Sequence, residues 1–401
     1  MNTALTTRNA TLQDLAAMLQ DQHGRKLDVV APAATIGTRD AQLVLAGTDV
    51  EITADGVTAT DGVYTPTEVF DDGLAAKLGI PVAYLRRLRA NRPDLYDANV
   101  NGWLRDATPP ETRSFLVRCF RGSGGGPGIA RALLSDRYGI VDNLDVLMAA
   151  LDGVRRAGVD VDIDGCDLTE RRMYVRVVAP QIKAFAPDLL AGYRSPWGGH
   201  DVGDGWTPQR VAQAAGRESL AYASGDEPVL FAGFVLSNSE VGAGRFTITP
   251  RLTVQICGNG LTITADALSK VHLGARLDEG VVRWSRDTER RALELVTAQS
   301  RDAVEHYLNA DYLTAKIRDL ESKAAVPVRD AAPTVEAVAK ALSFTADQQA
   351  TILNHFIRGG QLTAGGIMHA VTSAAQTIAD ADTAHAMEAA GLRALDIAAR
   401  R

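Results

Sequence analysis

Three consecutive strand signals between Val229 and Ala265 constrain the fold more than any other part of the chain. Val229–Leu236 is an unbroken apolar run, short enough for a strand buried on both faces. Ser237-Asn238-Ser239-Glu240 and Gly242-Ala243-Gly244 then break it with polar and glycine turn chemistry. Arg245–Cys257 alternates. Phe246, Ile248, Leu252, Val254 and Ile256 fall on one side, and Arg245, Thr247, Thr249, Arg251, Thr253, Gln255 and Cys257 on the other. That period of two predicts a strand with one core face and one solvated polar face. Gly258-Asn259-Gly260 predicts a hairpin turn, because Asn-Gly supplies the positive φ angles of a type I′ turn, and Leu261, Ile263 and Ala265 resume the alternation.

The rest of the chain divides into four regions. Residues 1–110 form an N-terminal α+β region: a helix at Thr11–Gln20, then a small antiparallel meander at Ala41–Leu45, Val50–Thr53 and Val57–Thr60. A helical hairpin at Asp71–Leu78 and Pro81–Ala90 follows. It has helix-turn-helix rhythm and places Arg86, Arg87, Arg89 and Arg92 on or beside its second helix. The plainer reading packs its leucines and leaves the arginines in water.

Residues 111–283 make a central sheet domain. Arg113–Phe120 pairs with Ile129–Ser135 across a glycine loop. A helix at Leu144–Ala157, capped by Asp142 or Asn143, stops at Gly158. A second hairpin joins Val159–Ile163 to Arg171–Val178. This β-β-α-β-β unit and the three strands after Val229 are expected to share one sheet. The glycine loop lacks the Lys of a phosphate-binding loop and reads as a hairpin tip. Pro180–Pro228 has little periodicity beyond helical turns at Gln181–Leu190 and Thr207–Ala215, and it carries Trp197 and Trp206.

Residues 284–323 belong to one long amphipathic helix, Val281–Lys323. After a proline-bearing linker at Ala324–Pro333, residues 334–401 form an all-α module with helices at Thr334–Leu342, Thr345–Ile357, Thr363–Ala379 and Thr383–Arg400. The fold class is therefore α+β: an antiparallel, hairpin-rich sheet backed by a helix, with a long helix and a helical C-terminal module.

Chemistry is sparse. Seven histidines fall in no metal-binding spacing, G-x-S-x-G is absent, and three separated cysteines suit neither a zinc site nor a disulfide scaffold. No cofactor and no enzymatic activity are expected. Glu240 and Asp136, each beside a turn, are the pair that a metal-dependent nuclease would have to use. No apolar run approaches the ~18 residues of a membrane span and no signal-like segment precedes the first helix, so a cytoplasmic location is expected.

A net charge of −7 still permits a local basic stripe. Arg113, Arg118, Arg121, Arg131, Arg137 and Tyr138 lie in the central unit. Arg172, Tyr174 and Arg176 share one strand face, with an aromatic between two cations, and Arg245 and Arg251 share another. With Trp197 these are the candidate nucleic-acid residues, since phosphate contacts plus base stacking hold a single strand. The alternative is a solvated face balanced by Asp160, Asp162, Asp164 and Asp167. Asn238, Ser239, Glu240 and Asn259 form a second set, read either as turn-forming hydrogen-bonders or as ligands turned outward.

Several motifs carry a resemblance over most of the chain. SNSEVGAG followed by a strand ending C-G-N-G, LAAKLGIPVAYLRRL, LLSDRYGIVDNLDVL and FIRGGQLTAGGIMHAVTSAAQ are similar to the phage- and plasmid-like proteins of actinobacterial mobile elements, a domain-of-unknown-function family. The outline of a hairpin-rich sheet backed by a helix, with a helical C-terminal region, also resembles phage single-strand annealing proteins of the RecT type in topology. That likeness implies a single-stranded DNA-binding homo-oligomer. An oligomeric structural or host-interaction protein is the alternative.

Overall fold

The computed structural model describes residues 5–53, 56–109, 111–122, 124–198, 202, 227–255, 258, 260–270 and 286–401. The architecture is α+β, with one large antiparallel sheet, a second curled sheet and an all-helical C-terminal region. The apolar run at 229 forms the middle of the large sheet. Its order is β1 (Thr7–Ala10), β10 (Asp162–Leu168), β11 (Met173–Phe185), β12 (Val229–Asn238), β13 (Phe246–Val254) and β14 (Gly260–Thr262), with β15 (Leu268–Lys270) also on β13. All ten residues of β12 are buried, the apolar run Val229–Leu236 and the polar Ser237 and Asn238 that follow it alike. Gly233 lies so close to β11 that a Cβ would stand 2.2 Å from the Val177 carbonyl oxygen, so a side chain there would force the strands apart.

The second sheet runs β2 (Lys26–Pro32), β8 (Ser114–Phe120), β9 (Gly128–Ser135), β7 (Gly62–Pro66), β4 (Gln42–Leu45) and β3 (Ile36–Arg39). Its pairs are antiparallel except β7 with β9. Here the single-sheet expectation fails. The β8–β9 hairpin forms, and so does β10–β11, but the turn of the latter lies at 169–172 and the expected turn residues Asp164 and Gly165 are inside β10. The first hairpin joins the N-terminal strands and only the second joins β12. Hairpin pairing is local and readable, whereas the edge a hairpin joins depends on distant strands. The expected meander also separates: β5 (Glu51–Thr53) and β6 (Gly56–Thr58) pair with each other, while β4 pairs with β3 and β7.

Helix α1 (Leu12–Arg25) and α5 (Asn143–Ala157) pack on the large sheet, and α5 ends at Gly158 in the left-handed region, φ 69°. Helices α2 (Glu68–Leu78), α3 (Val82–Asn91) and α4 (Pro93–Leu104) cover the second sheet, burying Phe70, Leu74, Leu85 and Tyr96. Arg86 and Arg89 of the helical hairpin pair with Asp72 and Asp71 of α2. The expected turns at 181–190 resolve into the end of β11 and a single turn, α6 (Pro187–Leu190). Those at 207–215 lie outside the described residues.

The long helix is two helices, α7 (Arg286–Tyr307) and α8 (Ala310–Ala324). Asn309 breaks it: its backbone is extended and its side chain caps the second helix by accepting from Asp311 and Tyr312. The C-terminal region holds α9 (Ala331–Leu342), α10 (Ala346–Gly359), α11 (Ala364–Ala375), α12 (Ala381–Ala389) and α13 (Gly391–Ala399). The Thr345–Gln348 capping box is formed as the sequence predicts. The last expected helix is split at Ala390, so that both halves can lay small residues against α11.

This region is not a separate body on a linker. One apolar core runs from Leu15 and Val146 through Phe234 and Ile248 to Ile367, Val371 and Leu395. The 324–333 segment is itself tied down, with Val328 N donating to the Leu362 carbonyl at 2.9 Å and Ala364 N to that of Val326 at 2.8 Å. Among the described residues no helix is long and apolar enough to cross a membrane.

His369 of α11 sits fully buried at the seam, where its Nε2–H donates to the Leu189 carbonyl at 3.4 Å and its ring lies 4.5 Å from that of Tyr193. Burial pushes its pKa down to about 4. Between that value and the ordinary ~6.5 the folded chain binds fewer protons than the unfolded one, so stability is full above that range and falls as pH drops through it. Urea unfolding of wild type and His369→Gln should show their stability difference changing by about 2 kcal/mol between pH 7 and pH 5, the wild type losing more.

Candidate functional site

Alternation along β13 places Thr247, Thr249 and Arg251 on one face of the large sheet, and the strand register extends that face. Tyr174 lies opposite Ser237, which lies opposite Thr247, while Arg251 lies opposite Thr262. The sequence predicts this face to be solvated, and the structure roofs it. Thr249, Arg251, Thr253 and Gln255 are all buried. The roof is α12, whose Asp382, His385 and Glu388 recur at helical spacing and point at the sheet.

Each roof residue meets a floor residue. Arg251 reaches Glu388 through Nε at 2.9 Å and Asp164 through Nη1 at 2.9 Å, and Thr262 donates to Glu388 at 2.7 Å. Burial alone would raise the Glu388 carboxyl, but the Arg251 guanidinium outweighs it and holds the pKa down at about 2. Asp167, fully enclosed, accepts from Arg8, Arg176, the Asn9 backbone N–H and His385. Burial opposes its ionisation too, and these donors override it, so its pKa falls well below the carboxylate range. The His385 ring stacks on Tyr174 at 3.9 Å and 12° between planes, and the Tyr174 hydroxyl donates to Asp382 at 2.9 Å.

Two cavities flank this contact, and His385 lines both. One of about 280 Å³ is bounded by Arg8, Asn9, Arg176, Arg251 and Gln376. The other, of about 530 Å³, has Arg171, Arg172 and Tyr174 on one wall and Thr247, Thr249 and Thr262 among its floor. Arg171 pairs with Asp72. Arg172 donates through Nε to the Ala243 carbonyl at 3.0 Å, and among the described residues no carboxylate pairs with it.

Arg172, Tyr174, Arg176 and Arg251 thus come together in one cleft, and other expected residues do not join them. Arg118 is completely buried between the two sheets. It binds Asp28 at 2.8 Å, Asp142 at 2.6 Å and the Glu240 backbone carbonyl. Lys26 also holds Asp142, and Arg131 holds Glu240 Oε1, so three cations meet three carboxylates. The Asn143 N–H donates to Glu240 Oε2 at 3.0 Å, Asn238 donates to Asn143 and Val141, and Ser239 accepts from the Ala243 N–H. The SNSE segment is therefore the knot joining β12, β8 and the start of α5.

Arg113 pairs with Glu111, Arg121 bonds the Gly24 carbonyl, and Tyr138 reaches the Ser239 carbonyl at 3.5 Å. Arg137 and Arg245 are exposed. Trp197, also exposed, sets its ring edge-on to His355 of α10. Asn259 lies outside the described residues. Glu240 has both oxygens engaged while Asp136 sits exposed at the end of β9, and among the described residues no group of three or more His, Cys, Asp or Glu is arranged to hold a metal ion.

The cleft residues missed from sequence are Arg8, Asp382, His385 and Glu388. The one available signal was the polar i, i+3, i+6 spacing on an otherwise Ala-rich helix. No protein-family model, curated protein or solved structure matches the chain.

The inter-sheet knot has a measurable weight. Removing a buried partner leaves its counter-charges uncompensated, so Arg118→Ala should lower stability by roughly 3–5 kcal/mol. Denaturant titration at neutral pH measures it.

Proposed function

We propose that this chain is a non-enzymatic, single-stranded nucleic-acid-binding protein of the annealing type, acting in the cytoplasm as a homo-oligomer. The observation that carries the reading is the 530 Å³ cavity, where Arg171, Arg172 and Tyr174 face a floor of threonine hydroxyls. Guanidinium groups bind phosphate oxygens bidentately, hydroxyls bond sugar and phosphate, and a tyrosine ring such as that of Tyr174, which now carries the His385 ring, can stack a planar group. Arg172 suits a phosphate best, because among the described residues its guanidinium pairs with no carboxylate and donates to the Ala243 carbonyl. Exposed Ile357, Leu362 and Trp197, on or beside α10, supply apolar surface for a second copy.

Binding of labelled oligothymidylate should weaken steeply as salt rises, because each neutralised phosphate releases counterions. Arg172→Ala should reduce affinity at low salt without changing the melting temperature. Undetectable binding at low salt overturns the reading. Light scattering at micromolar concentration should give a mass above that of one chain, and a monomer alone would refute the oligomer.

A further inference from the structure

The roof of the cleft is chemically the complement of its floor. Apart from Arg171, which Asp72 neutralises, four guanidinium groups stand on the floor, Arg8, Arg172, Arg176 and Arg251, against two carboxylates, Asp164 and Asp167. Helix α12 adds the two missing negative charges, Asp382 and Glu388, and it also adds a flat ring, His385, laid parallel on Tyr174. Carboxylates on a cationic floor and a planar ring on an aromatic face are what a strand of nucleic acid presents as phosphates and bases.

We propose that α12 is a displaceable stand-in for the strand: it occupies a groove crossing the large sheet, and single-stranded nucleic acid takes that groove when α12 lifts. This rests on the nucleic-acid reading above and adds where the strand runs and what holds it off.

Packing supports the division between what moves and what stays. The contact between α12 and the sheet is polar and hollow, with Asp382, His385 and Glu388 flanked by cavities of about 280 and 530 Å³. His385 is their shared wall, so its withdrawal joins them into one channel from Arg171 and Arg172 through to Arg8 and Arg176. The neighbours α11 and α13 are anchored in the apolar core by several residues, Ile367, Val371, Leu395 and Ala398 among them, whereas α12 contributes Met387 alone. α12 itself is short and bounded by turns, with Asp380 capping its start and Ala390 ending it. Lifting it exposes a floor with excess positive charge, which an incoming phosphodiester restores to balance.

The test compares wild type with the Asp382→Ala/His385→Ala double variant, which leaves the Arg251–Glu388 pair in place. Closed-to-open equilibria of this kind hold roughly 0.1–10% of molecules in the minor state, so releasing the roof should tighten oligothymidylate binding by about tenfold or more. A folded variant that binds no better than wild type overturns the stand-in while leaving the nucleic-acid reading intact. Absence of binding by both proteins overturns the two together. Hydrogen exchange of the unmodified protein provides a check that needs no variant. With oligothymidylate bound, α12 amides should exchange faster while those of α11 and α13 stay protected, and unchanged α12 protection in the complex refutes the proposal.

Discussion

A guanidinium group can be withdrawn from water only if carboxylates are withdrawn with it, and among the described residues Arg118 and Arg251 are the arginines most deeply withdrawn. Arg118 lies at the joint between the sheets and Arg251 on the polar face of the larger one, both almost completely enclosed. Each draws acids from distant parts of the chain: Asp28 and Asp142 to the first, Asp164 and Glu388 to the second. Much of the tertiary arrangement follows. The first set holds the N-terminal sheet against β12 and α5, and the second holds the last helices over the large sheet.

The two clusters differ in what surrounds them. Around Arg118 the charges cancel, the lone pairs of Glu240 are all but spoken for, and the remaining space is about 10 Å³. Such a closed network specifies one arrangement and leaves no opening for a ligand. Around Arg251 the pairing is just as strong, yet the neighbouring space is hollow and reaches Arg172, whose charge is met by a carbonyl. A binding role belongs to the open cluster, although the sequence marks the closed one more conspicuously through SNSE.

Strand alternation places Arg172, Tyr174 and Arg176 on one strand face and Arg251 on another, and the sheet register brings the two faces together. Arg118 lies on a strand as well and looked equivalent, but its side chain faces β2 and the end of β12. Which face of a hairpin is covered depends on the sheet it joins, and β8 joins β2 through a pairing that sets Arg118 opposite Asp28, 90 positions away. Glu388 carries no local signal, because an acid on an alanine-rich helix is ordinary until its partner is known.

By itself the sequence determined the local elements: the doubly buried β12, the β8–β9 hairpin, the α5 stop at Gly158 and the Thr345 capping box. These depend on alternation, capping and backbone freedom within a few residues of one another. Only the tertiary structure decided that the polar face of β13 is roofed, that Asn309 divides the long helix, and that the C-terminal region shares the sheet's core. The reason is one of distance along the chain. Arg251 and Glu388 are separated by 137 positions. Nothing local to either residue says that the charge of one is answered by the other.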